Sequence, residues 1–131
     1  MKPLRAAVCL ALATAPLVAQ ADVETLASAL RNPRGLAFAP NGALYVAEAG
    51  SGGPGPCIPS PAPPPGTQRC YGETAAVTEI LPGGGFRRVL TGLPSLVRPE
   101  GTAEGGALDV SFLGTSAYVV VMALQVHGCE D

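Results

Sequence analysis

The chain has 131 residues, of which 47% are hydrophobic and 14% are charged, so its composition is not that of a charge-rich disordered chain. The net charge of −2 argues against nucleic acid as a partner, since the adjacent pair Arg87 and Arg88 is the largest basic group. Seventeen glycines and fourteen prolines accompany mostly small apolar residues. This composition favours thin β-sheets joined by turns over a bulky helical core.

The first 21 residues have the features of a secretory signal peptide. Lys2 and Arg5 supply the positive start, residues 6–19 form an apolar stretch, and Ala19-Gln20-Ala21 is a small-residue cleavage site. A stretch of 14 residues is too short to span a bilayer as a helix. We therefore expect cleavage after Ala21 and a secreted or periplasmic protein without membrane association. Cleavage leaves six arginines against ten acidic residues, a net charge near −4.

The mature part, residues 22–131, contains one pattern of strand-like segments almost twice. The first copy comprises residues 26–30, 35–39 and 43–46, and the second comprises residues 89–93, 108–112 and 117–120. Each copy has an apolar segment ending in Leu, a segment carrying Phe, a turn, and a segment carrying Tyr. Short strands repeated with Gly-rich turns favour stacked antiparallel sheets, most often a β-propeller.

The start of the mature part, Val23–Leu30, fits two structures. Val23, Leu26, Ala27 and Leu30 have helical spacing, whereas the alignment of this segment with residues 87–93 indicates a strand. Asn32-Pro33-Arg34-Gly35 follows at once and would stop a helix. The repeat therefore predicts a strand here.

The next segments predict an antiparallel meander. Residues 35–39 and 43–47 flank Pro40-Asn41-Gly42, and Asn-Gly between apolar runs is a strong hairpin signal. Residues 75–81 and 86–91 flank a Gly-rich turn and give the third and fourth strands. The predicted fold is all-β: an antiparallel four-stranded blade, followed by a partial second blade in the hairpin Leu108–Val121.

Two insertions separate these strands. The first, at about residues 50–74, is rich in Gly and Pro and is predicted to be a loop without a strand. The second, Pro94–Gly106, precedes the partial second blade and is also predicted to be a loop. Together they account for a repeat period longer than the 40 to 50 residues that is typical of a blade.

The first insertion carries the cysteines that bear on compartment. Cys57 and Cys70 enclose twelve residues of an exported chain, which favours a disulfide over free or metal-bound thiols. Cys129 is left without an assigned partner, and its spacing with His127 matches no zinc finger. Residues 50–55 match the dinucleotide fingerprint, but they open a proline-rich loop and not a helix, so a nucleotide site is rejected.

With these features in place, the mature part resembles the start of the ScyD/ScyE family of secreted, six-bladed β-propellers related to the NHL-repeat type. The resemblance lies in residues 32–38, 42–50, 55–59, 70–72, 89–96 and 109–112. It implies a propeller domain over residues 22–131 that is incomplete, as an N-terminal fragment with further blades missing. The family has a polar residue, often His, where this chain has Leu108. Its biochemical role is undefined.

The candidate site residues are polar residues expected near the propeller axis. Arg34 and Asp109 lie at or in innermost strands, and Glu48 ends the second strand. Propeller enzymes of the lactonase-like type gather carboxylates there around a divalent metal. The alternative is that Arg34, Glu48 and Asp109 bond backbone groups at strand ends. No catalytic residue, metal site or cofactor is predicted.

These features favour a secreted binding or scaffold module of undefined ligand over an enzyme. The alternatives are a propeller hydrolase or oxidoreductase whose site lies mainly in missing blades, and a non-functional truncation. An incomplete propeller also exposes sheet edges, which predicts self-association through them.

Overall fold

The computed structural model describes residues 22–122. Over that range the chain is all-β, with seven strands, no helix and antiparallel pairing throughout. The strands are β1 (Pro33–Phe38), β2 (Leu44–Glu48), β3 (Cys57–Pro59), β4 (Gln68–Ile80), β5 (Phe86–Val97), β6 (Ala103–Leu113) and β7 (Ser116–Met122). The predicted signal peptide and the segment with His127 and Cys129 lie outside the described residues.

The predicted four-stranded meander is confirmed. β1, β2, β4 and β5 follow one another in the sheet, and each pair is antiparallel. The β1–β2 turn is the predicted hairpin, in which the Ala39 N–H donates to the Ala43 carbonyl at 2.8 Å. Gly42 has a φ of 83°, which glycine adopts without steric cost.

The predicted strand Val23–Leu30 is wrong. Residues 22–30 carry no regular secondary structure, and Ala29 has a φ of 60°, which breaks an extended path. One backbone hydrogen bond joins this segment to the turn between β4 and β5: the Gly85 N–H donates to the Leu26 carbonyl at 3.3 Å. Residues 87–93 of β5, which align with this segment, form a strand because they pair with β4. Similarity in sequence does not give residues 23–30 a strand to pair with.

The first insertion contains strands, contrary to the prediction of a loop. β3 and the first part of β4 form a hairpin in which Cys57 lies opposite Cys70 and Pro59 opposite Gln68. The Ser60 N–H donates to the Thr67 carbonyl at 2.8 Å, which closes the proline-rich turn. Proline cannot donate in a sheet, but it is tolerated at the end of an edge strand.

The second insertion was also predicted wrongly as a loop. β5 continues to Val97 and β6 begins at Ala103, so only residues 98–102 form a turn. Arg98 closes it, because its N–H donates to the Thr102 carbonyl at 3.0 Å. β4 extends alongside, with Cys70 opposite Val97, and supplies the pairing that keeps the end of β5 extended.

β6 and β7 form the predicted second hairpin, which packs over one face of the meander. Ala107 of β6 is buried against Ala47 and Ala75 of the meander, with Leu93 and Val119 packed around them. These small residues let the two layers approach closely. The antiparallel sheet thereby curls into a half-barrel, with β1 lying near β6.

Candidate functional site

Glu48, at the end of β2, has a fully buried carboxylate. Its Oε1 accepts a hydrogen bond from the Thr78 hydroxyl, and its Oε2 accepts from the Arg31 backbone N–H. Arg88 completes the set with an ion pair from Nη2 to Oε2 at 2.9 Å. The guanidinium of Arg88 also lies 4.9 Å from the ring centre of Phe86.

This surrounding decides the ionisation of Glu48. Burial raises the pKa, but the hydrogen bonds from Arg88, the Arg31 N–H and Thr78, with the charge of Arg88, together hold the pKa of Glu48 below its usual value. The carboxylate is thus kept charged by partners that fix it in place. In this arrangement Glu48 ties β2 to β4 and β5 and also anchors the segment that precedes β1.

Arg34 and Asp109 lie where β1 passes close to β6. Arg34 Nη2 donates to the Ala103 carbonyl at 2.6 Å, at the start of β6. Asp109 lies against Gly35: a Cβ on this glycine would be 2.0 Å from Asp109 Oδ1 and 2.9 Å from Asp109 Cα. The Asp109 Oδ1 also accepts from the Val110 N–H at 2.9 Å. A glycine at position 35 is therefore what permits β1 to lie this close to β6.

The three candidate residues each bond a backbone group, as the alternative interpretation expects. Within residues 22–122 no hydrogen bond or ion pair joins Arg34, Glu48 and Asp109 to one another. Over the same range, no three His, Cys, Asp or Glu side chains are close enough together to hold a metal ion. A ligand-binding role for these positions stays a prediction.

The predicted disulfide between Cys57 and Cys70 is present, with a Cα–Cα distance of 4.0 Å. It joins two residues that already lie opposite each other in the β3–β4 hairpin. The crosslink therefore fixes the register of the hairpin that carries the proline-rich turn.

A second ionic cluster holds this proline-rich turn, and sequence reasoning missed it. Glu104 of β6 pairs with Arg69 of β4 at 3.2 Å and also with Arg98, and all three side chains are about nine-tenths buried. Ser60 donates its hydroxyl to Glu104 Oε1 at 2.6 Å. Arg98 Nη1 donates to the Pro63 carbonyl at 3.1 Å. The residues come from both segments predicted to be loops, and no local pattern in those segments indicates that they would meet.

The cluster keeps Glu104 ionised. The hydrogen bond from Ser60 lowers the pKa of this carboxyl, burial raises it, and Arg98 and Arg69 lower it further, so that the pKa lies below its usual value. Two arginines and one glutamate thus fix the proline-rich turn onto β4, β6 and the turn between β5 and β6.

A shallow groove lies at the end of the molecule where the β1–β2 and β6–β7 turns come together. The rings of Tyr45 and Phe112 line it, with centroids 5.1 Å apart and planes inclined by 58°. The groove has a volume of about 350 Å³ and is bordered by Ala39, Pro40, Asn41 and Thr115. Two aromatic rings beside an amide and a hydroxyl are a combination that small-molecule sites use.

Comparison with protein-family models, with curated protein sequences and with solved structures finds no match to this chain. Among residues 22–122, no helix has the length and apolar character that a membrane span requires.

Proposed function

We propose that this chain forms the first blade and part of the second blade of a β-propeller related to the ScyD/ScyE family. The meander β1-β2-β4-β5 has the strand order of a blade. β6 begins a second hairpin and lies near β1, the first strand of that blade. In a propeller, the first strands of successive blades surround a common axis. The close approach of Gly35 in β1 to Asp109 in β6 supports that arrangement.

We further propose that the protein is exported through a signal peptide ending at Ala21. The disulfide Cys57–Cys70 supports this, because disulfides persist mainly outside the cytosol. N-terminal sequencing of exported protein tests it and should begin with Asp22. Recovery of intact Met1 in a membrane fraction would show that the first residues act as an anchor.

The function that we propose is that of a binding or scaffold module, and the groove between the two turns carries this proposal. Tyr45 and Phe112 offer apolar ring surfaces, while Asn41 and Thr115 offer hydrogen-bonding groups at the rim. Both rings belong to paired strands, β2 and β6, whereas the residues at the rim belong to turns, which tolerate sequence change better than strands do. The ligand chemistry that fits is a small ring compound with polar substituents.

Isothermal titration calorimetry of the purified full chain with cellobiose and with indole tests this role. Measurable heat with at least one probe is expected in the wild type and should be lost in Phe112→Leu. The matched control is Phe86→Leu, which removes a ring from β5 outside the groove and should leave binding unchanged. Absence of binding of both probes, or equal loss in both variants, overturns the groove as the site. Turnover of a lactone in the presence of a divalent cation would favour the enzyme instead.

A further inference from the structure

Two apolar patches lie exposed on the first and last strands of the sheet order. The β1 patch consists of Leu36 and Phe38, and the β7 patch consists of Tyr118, Val120 and Met122. Scattered apolar side chains are common on protein surfaces, but contiguous patches on unpartnered sheet faces mark interaction sites.

The internal contact between the two repeats shows what such patches pack against. Phe112 of β6 lies on Tyr45 of β2, and Val119 of β7 packs on Ala47 and Ala75. The second hairpin thus presents its Phe-bearing face to the Tyr-bearing face of the first.

The strand registers make the two patches equivalent to the two sides of that contact. Ala37, directly before Phe38, lies opposite Tyr45, and Ser111, directly before Phe112, lies opposite Tyr118. Phe38 therefore corresponds to Phe112, and Tyr118 corresponds to Tyr45.

The exposure of the flanking residues differs as this correspondence requires. Val110, two residues before Phe112, is 2% exposed, whereas its counterpart Leu36 is 60% exposed. Ala47, two residues after Tyr45, is fully buried, whereas Val120, two residues after Tyr118, is 57% exposed. The β1 patch is a Phe-bearing face that covers no Tyr-bearing face. The β7 patch is a Tyr-bearing face that no Phe-bearing face covers.

We propose that copies of this chain associate head to tail, with the β1 patch of one copy on the β7 patch of the next. Phe38 of one copy then contacts Tyr118 of the second copy as Phe112 contacts Tyr45 within the chain. The contact joins two different surfaces, so each added copy leaves one patch of each kind until a ring closes. The proposal depends on the patches and not on the ligand or on export.

Sedimentation velocity of the purified full chain over a concentration series tests the association. We expect assemblies that dissociate on dilution. Phe38→Asp and Tyr118→Asp each remove one side of the contact, and each should weaken self-association about 100-fold or more, as the loss of an interface anchor does. Val89→Asp is the matched control, because Val89 is exposed on β5 outside both patches and should leave association unchanged.

A mixture of the two aspartate variants separates head-to-tail contact from a symmetric one. The Phe38→Asp copy keeps an intact β7 patch and the Tyr118→Asp copy keeps an intact β1 patch, so the mixture should form a heterodimer although each variant alone is monomeric. Far-UV circular dichroism checks that the variants fold, and Phe38→Ser with Tyr118→Ser replaces any aspartate variant that does not. A wild type that stays monomeric at all concentrations overturns the proposal, as does a mixture of folded variants that stays monomeric.

Discussion

Replacing Glu48 with glutamine should destabilise the protein by about 3 kcal/mol, because it leaves the Arg88 guanidinium without its buried counter-charge. The amide keeps the shape of the carboxylate, but it removes the charge and replaces one acceptor oxygen with an NH₂ donor. The Arg31 N–H and the Thr78 hydroxyl also lose a charged acceptor. Since the Arg88 side chain is 23% exposed, water offsets part of the loss, and we take the low end of the range for a broken buried pair.

Urea unfolding at one protein concentration, followed by circular dichroism, measures this effect. A loss of about 3 kcal/mol corresponds to a midpoint lower by roughly 2 M for a domain of this size. The matched control is Glu79→Gln, which breaks the ion pair between Glu79 of β4 and Arg87, the residue next to Arg88 in β5. The Arg87 side chain is 66% exposed, so this midpoint should change little. Equal shifts for the two variants would refute the assignment of Glu48 as the buried anchor.

Three further outcomes are expected from the same unfolding assay. The fold lowers the pKa of Glu48 below its usual value of 4.5, so unfolding takes up a proton when the pH lies between the folded and unfolded pKa values. The stabilisation that this carboxylate contributes is therefore complete above pH 4.5 and is lost as the pH falls below it. The free energy of unfolding should decrease less steeply with falling pH in Glu48→Gln. Replacing Cys57 and Cys70 together with serine should cost about 3 kcal/mol through a freer unfolded chain; an unchanged midpoint would contradict the crosslink. Gly35→Ala should cost about 2 kcal/mol, because its Cβ would overlap Asp109; wild-type stability would show that β1 and β6 are not so close.

The sequence by itself determined the features that depend on local chemistry. Asn41-Gly42 predicted the β1–β2 hairpin because glycine accepts a positive φ at that turn. Apolar segments bounded by Asn-Gly and Gly-rich turns predicted the four meander strands, and the internal repeat predicted the second hairpin. The pairing of Cys57 with Cys70 followed from their spacing in a chain expected to be exported.

Only the tertiary structure decided which segments find a partner. The two insertions are predicted to be loops from their composition. The first part of β4, the last part of β5 and the first part of β6 lie within them and are strands, because they pair with one another. Residues 23–30 are predicted to form a strand from the repeat, but they do not, because a strand requires a neighbouring strand to pair with as well as a suitable sequence. The hairpin pattern predicted that Glu48 ends a strand, but its partners Thr78 and Arg88 lie 30 and 40 residues further along the sequence. Burial of that carboxylate is a property of contacts distant in sequence, which no local pattern encodes.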